Sequence, residues 1–124
     1  MDNLTYEEVI QEVAQVLHMI YGKDYNSERK IVHNLEKLQF YRFVRSTDLL
    51  LPGRYLRYID LREKSLGVRN AGFIVRYEPQ RDISKSRVNL RITNGARYRL
   101  KTACIAMFVR LREDEIPEDE DDED

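Results

Sequence analysis

Five cations carry the chemistry most visible in this chain. Arg87, Arg91, Arg97, Arg99 and Lys101 flank a short turn in the stretch RVNLRITNGARYRLK, residues 87–101. Each alternates with an apolar or small residue, so one side of the hairpin is oily and the other almost wholly cationic. The Asn-Gly pair marks the turn. A two-residue Asn94-Gly95 loop would set Ile92 opposite Arg97 and mix cations with apolar groups on both faces. A three-residue loop, Thr93-Asn94-Gly95, keeps the faces sorted and gives Gly95 the left-handed bulge position. In that register Arg91 faces Arg97, Asn89 faces Arg99 and Arg87 faces Lys101. Like charges opposed across two strands work against the fold. A polyanion or an acidic protein surface would relieve them.

Further cations extend the pattern: Arg54, Arg57, Arg62, Lys64, Arg69, Arg76, Arg81, Lys85, Arg110 and Arg112. Arginine outnumbers lysine 15 to 6, which favours bidentate contacts to phosphate or carboxylate. Tyrosines adjoin arginines at 54–55, 57–58, 76–77 and 97–98, but neighbours in a strand point to opposite faces. Tyr98 is therefore expected in the core, and most of these tyrosines are expected to pack.

The net charge of −1 hides a segregation. Residues 1–22 hold four acids and no Lys or Arg, residues 23–112 carry a net +13, and residues 113–124 carry ten acids and no base. A flexible tether of ten negative charges can compete for a basic face at high effective concentration.

Other chemistries find little support. His18, His33 and Cys104 offer no zinc-ligand spacing, and neither a nucleophile elbow nor a phosphate-cradling glycine loop is present. No catalytic residue, metal or cofactor is expected, and the chain is read as non-enzymatic. Cys104, inside ACIAMF, is expected to be a small buried hydrophobe. No apolar run approaches the ~20 residues of a membrane span. The acidic N-terminus lacks the basic region of a signal peptide. The expected setting is intracellular, cytoplasmic or nuclear, with no membrane partner.

The elements that must position these cations follow from periodicity. Tyr6, Val9, Ile10, Val13, Val16, Leu17 and Ile20 share one helical face. Thr5 and Glu8 form a capping box, and Gly22 stops the helix. This face either packs on its own domain or, through Tyr6, Val9, Val13 and Val16, receives a partner or a second copy in a homo-oligomer. A second helix is capped by Asn26 or Ser27, turns Ile31, Val32, Leu35 and Leu38 inward and ends near Gln39. FYRFV has the composition of a short strand. Strands are expected at 54–62, 72–78, 87–93 and 96–111, the last bending near Thr102-Ala103.

The expected class is α+β. A helical segment (1–45) packs on a small, basic, mostly antiparallel β-barrel of four to five strands (46–112). A disordered acidic tail (113–124) follows.

LPGRYLRYID, LGVRNAGFIVRYE, VNLRITNGARYRLK and IAMFVRL together resemble a strand-and-turn pattern of small uncharacterised β-barrel proteins of large DNA viruses, over residues 50–112. Ala71-Gly72 stands where that pattern has two glycines, and its tryptophan is missing. The resemblance implies a small barrel in a viral setting, packaged in the virion, and transfers no active site. Two functions are expected from different classes. One is a nucleic-acid-binding module that uses Arg87, Arg91, Arg97, Arg99 and Lys101, the type of nucleic acid being open. The other is a structural or assembly protein that docks acidic protein surfaces.

Overall fold

The structure is a computed structural model that describes residues 4–22 and 27–116. Two helices, α1 (Tyr6–Tyr21) and α2 (Ser27–Lys37), precede six strands: β1 (Tyr41–Phe43), β2 (Tyr55–Asp60), β3 (Val68–Glu78), β4 (Arg87–Arg91), β5 (Arg97–Lys101) and β6 (Ile105–Arg110). The class is α+β. The sheet is antiparallel in the order β1-β6-β2-β3-β4-β5. β1 and β5 are its two edges, so it is an open sheet of six strands and not the barrel of four or five that the strand count predicts. The extra strands arise because FYRFV pairs with β6, and because 96–111 breaks at residues 102–104 into β5 and β6. β1 thus ties the helical segment into the sheet.

α1 begins as its sequence dictates. The Glu8 N–H donates to Thr5 Oγ1 at 3.1 Å, and the Thr5 N–H donates to Glu8 Oε1 at 2.8 Å. These reciprocal bonds satisfy two donors that the first turn would otherwise leave open. Gly22, at φ 65°, ends the helix with its N–H on the His18 carbonyl at 3.0 Å. Val9, Val13 and Leu17 are buried, Val16 packs against the same core, and Tyr6 stacks on Phe40 with centroids 6.1 Å apart. The helix spends this face on its own sheet, which corrects the partner surface expected at Tyr6, Val9, Val13 and Val16. Ile10 and Val32, expected inward, are instead 43% and 58% exposed; each lies at the margin of a stripe that the sheet does not reach.

Two cores lie on opposite faces of the sheet. On the helix side Val13, Leu17, Tyr21, Ile31 and Leu38 meet Tyr41, Ile59, Ala106 and Phe108. On the other side Leu56, Met107 and Val109 meet Ala71, Ile74, Val88 and Leu90, with Val44 and Leu50 contributed by the loop after β1. Strand alternation separates the two sets, since Phe108 and Val109 point opposite ways. A polar chain links the two helices to the loop between β2 and β3. Asn34 Nδ2 donates to the Tyr21 hydroxyl at 2.6 Å, and that hydroxyl donates to the Leu66 carbonyl at 2.6 Å. Burial, partly offset by the Asn34 bond, pushes the Tyr21 phenol above its ordinary pKa.

β3 has 11 residues and two bulges. Leu56 pairs with Gly72 while Arg57 pairs with Asn70, leaving Ala71 as the extra residue; Ile74 pairs with Leu90 while Arg76 pairs with Asn89, leaving Val75. Bulges raise local twist and bend the strand, which lets one sheet enclose a core on each face. Gly72 is required here. Its φ is +130°, and a Cβ would sit 2.9 Å from the Arg91 carbonyl oxygen.

Cys104 is exposed in the turn between β5 and β6, at φ 66°. This corrects its expected burial: the break in 96–111 lifts it out of the strand alternation. The segment expected to be disordered begins with an ordered turn, Glu113–Glu115, followed by Ile116, and residues 117–124 lie outside the described residues, as does Asn26. Among the described residues no helix is long and apolar enough to cross a membrane.

Candidate nucleic-acid interface

The hairpin adopts the three-residue loop. Ile92 N–H donates to the Ala96 carbonyl at 2.9 Å, and Gly95 takes φ 92°. Arg91 pairs with Arg97, Leu90 with Tyr98, Asn89 with Arg99, Val88 with Leu100 and Arg87 with Lys101. Val88 and Leu90 are fully buried, while Arg91, Arg97, Arg99 and Lys101 are exposed and Arg87 half-buried. All five cations therefore share one face. Among the described residues none of the five forms a salt bridge.

β3 extends this face. Arg76 lies beside Asn89, and Glu78 lies beside Arg87. The face then holds Arg76, Arg87, Arg91, Arg97, Arg99 and Lys101 against one carboxylate. Glu78 holds the group together, accepting from Arg76 Nη2 at 2.6 Å and from Asn89 Nδ2 at 2.9 Å. Those two bonds, the Arg76 one first, keep the Glu78 carboxyl below its ordinary 4.5 against a smaller opposing effect of desolvation, and the charges of Arg76 and Arg99 add to the lowering.

A single rung of the sheet adds aromatic surface. Tyr41 pairs with Arg110, and the register that sets Leu56 against Val109 places Tyr55 beside Arg110. Tyr55 pairs with Phe73, Phe73 with Arg91 and Arg91 with Arg97. The rung thus crosses all six strands. Tyr55 and Phe73 meet edge to face with centroids 5.0 Å apart, and the Arg91 guanidinium lies 5.3 Å from the Phe73 ring centre. At the helix end Arg57 lies 4.9 Å from the Tyr41 ring centre. Burial raises the Tyr41 phenol above its usual value, although Arg57 and Arg110 pull the other way. Tyr55 and Phe73 are half-buried between exposed Arg110 and Arg91. Beside them a groove of about 360 Å³ is lined by Tyr55, Phe73, Arg54, Arg110 and Arg112.

The other cations divide. Arg62 forks onto Asp60 at 3.0 and 3.1 Å, and Arg69 contacts Glu63 at 2.6 Å, so both are spent on neighbouring acids. Tyr58, Tyr77 and Tyr98 lie on the opposite face, but Tyr98, expected in the core, is 39% exposed because it sits on edge strand β5, with its hydroxyl donating to the Ala71 carbonyl. Tyr55 and Phe73 are the residues that alternation alone misses. Tyr55 shares parity with Arg57, which hints at its face, but its contact with Phe73 depends on which strand lies next to β2. Among the described residues no cluster of three His, Cys, Asp or Glu side chains is arranged to hold a metal.

No family model, curated protein or solved structure matches this chain.

Proposed function

We propose that the chain is a non-enzymatic nucleic-acid-binding module. Phosphates would lie along the cationic face of β3, β4 and β5, with an unpaired base resting near Tyr55 and Phe73. The observation that carries this reading is the opposition of Arg91 to Arg97 and of Arg87 to Lys101 on adjacent strands with no intervening acid. A solvated outer face is ordinarily built with charges of both signs. Here the repulsion is retained, and a polyanion converts it into attraction. Aromatic rings between guanidinium groups favour single strands, whose bases are free to stack.

Five neutralised phosphates correspond to a log–log salt slope of about −3.5 on a single strand. Fluorescence anisotropy with a labelled oligonucleotide across a salt series measures it. A slope near zero, or retained affinity after joint Arg91→Gln, Arg97→Gln and Arg99→Gln substitution, would remove the hairpin from the site. Binding to polyglutamate with equal affinity would instead favour an acidic protein partner.

A further inference from the structure

A second group of cations lies off the sheet, on α2. A groove of about 500 Å³ runs between this helix and the β2–β3 loop, with Arg29, Lys30, His33 and Lys37 on one side and Ser65 and Gly67 on the other. No carboxylate lines it, and Glu28 and Glu36, the acids of α2, stand outside it. Arg29, Lys30, His33 and Lys37 are all exposed. Among the described residues none of them forms a salt bridge, whereas Arg62, Arg69 and Arg76 are each matched to a neighbouring acid. The placement does not serve the helix. Lys30, His33 and Lys37 follow one another at i+3 and i+4, the spacings at which an acid would have stabilised it. Arg29 and Lys30 stand in its first turn, where the helix dipole disfavours cations.

The groove borders the cationic face of the sheet. α1 packs against β1 and α2, which leaves α2 on the β3 side of the helix layer. The C-terminal end of α2 is fixed over β2, where Arg57 Nη1 donates to the Lys37 carbonyl. Arg57, matched to no carboxylate among the described residues, pairs with exposed Asn70 of β3, and beyond the Ala71 bulge Phe73 occupies the same face. From Phe73 the rung continues to Arg91 and Arg97. We infer, on the nucleic-acid-binding reading proposed above, that α2 is a second phosphate-binding element and that a single strand held by the hairpin continues along this path into the α2 groove. Arg29 suits bidentate contact with a phosphate, and Lys30 and Lys37 supply point charges on flexible stems. No Phe, Tyr or Trp lines the groove, so the strand is held there by its backbone and without base stacking. Length sets which site a strand reaches. β2 and β5 are three strand spacings apart, about 14 Å. A stacked strand advances about 3.4 Å per nucleotide, so a hexamer of about 20 Å is used up on the sheet, whereas a dodecamer of about 40 Å extends onto α2.

The test uses the full chain with hexathymidylate and dodecathymidylate across a salt series. The hexamer has one phosphodiester for each hairpin cation, so its log–log salt slope should be about −3.5; further phosphates on Arg29, Lys30 and Lys37 should steepen that of the dodecamer to about −5.6. Joint Arg29→Gln, Lys30→Gln and Lys37→Gln substitution, at exposed positions, should return the dodecamer to about −3.5 and leave the hexamer unchanged. The His33 ring protons of the unaltered chain, followed by NMR, should move with the dodecamer and not with the hexamer, and this arm stands if the triple variant fails to fold. Equal slopes for the two lengths, or a dodecamer slope that the α2 variant leaves unchanged, overturn α2 as a phosphate site, while a hexamer affinity that joint Arg91→Gln, Arg97→Gln and Arg99→Gln substitution abolishes keeps the hairpin reading intact. A hexamer that the hairpin variant binds unchanged overturns the hairpin reading and the path with it. Polyglutamate that moves the His33 signals as far as the dodecamer does assigns the groove to an acidic protein and overturns the proposal as well.

Discussion

Neutralising Arg97 and Lys101 together should stabilise the fold and, if the proposed function holds, weaken binding to nucleic acid. Both are exposed on edge strand β5, and each sits directly opposite a cation of β4. Arg91 keeps its contact with the Phe73 ring in their absence, and Arg87 keeps Glu78 opposite it on β3. The Arg97→Gln, Lys101→Gln variant therefore loses two repulsions and no ion pair among the described residues. Each like-charge pair opposes folding by roughly 0.2–1 kcal/mol, so the gain is roughly 0.4–2 kcal/mol. On the proposed function, the loss of two phosphate contacts should also reduce the magnitude of the single-strand salt slope by about 1.4. Urea denaturation and anisotropy on the same samples measure the two effects. At about 1 M salt, where screening acts within about 3 Å, the stability difference should shrink towards zero. Arg99→Gln is the control. Arg99 faces Asn89 and lies in the field of Glu78, so its loss should bring no gain. If the double variant is no more stable at low salt, the hairpin repulsion is absent. If stability rises and the slope holds, the charges protect an edge strand from pairing and do not bind phosphate.

Three further outcomes follow from particular contacts. Gly72→Ala meets both a positive φ and the Arg91 carbonyl; it should cost roughly 2–4 kcal/mol in denaturation and speed amide exchange along β3 and β4. Phe108→Ala empties a fully buried ring site in the helix-side core and should cost roughly 3–5 kcal/mol, read from the urea midpoint. Glu78 provides a pH test. Its folded pKa lies below the ordinary 4.5, so its contribution is present above 4.5 and is lost as pH falls through the depressed value. NMR titration should show the Arg76 and Asn89 side-chain signals shifting only in that acidic window, and Glu78→Gln should loosen the hairpin at pH 7 while strengthening oligonucleotide binding.

The α1 cap, the hairpin loop and the sorting of its two faces were determined by the sequence itself, because each depends on residues a few positions apart. Thr5 and Glu8 meet within one helical turn, and Gly95 supplies the φ that its loop demands. Even the break at residues 102–104 was visible as a strand too long to run straight. Closure of the sheet was not, since it depends on whether β1 and β5 find each other across the whole molecule. Tertiary structure also decided what the cations face. The rung joining Tyr55, Phe73, Arg91 and Arg97 follows from strand order and from the bulges at Ala71 and Val75, which shift parity partway along β3. The α2 groove sets residues 29, 30, 33 and 37 against Ser65 and Gly67 of the β2–β3 loop. Periodicity reports which face of an element is apolar. Pairing between distant elements determines which charges meet, because that pairing is selected by the burial of the whole core.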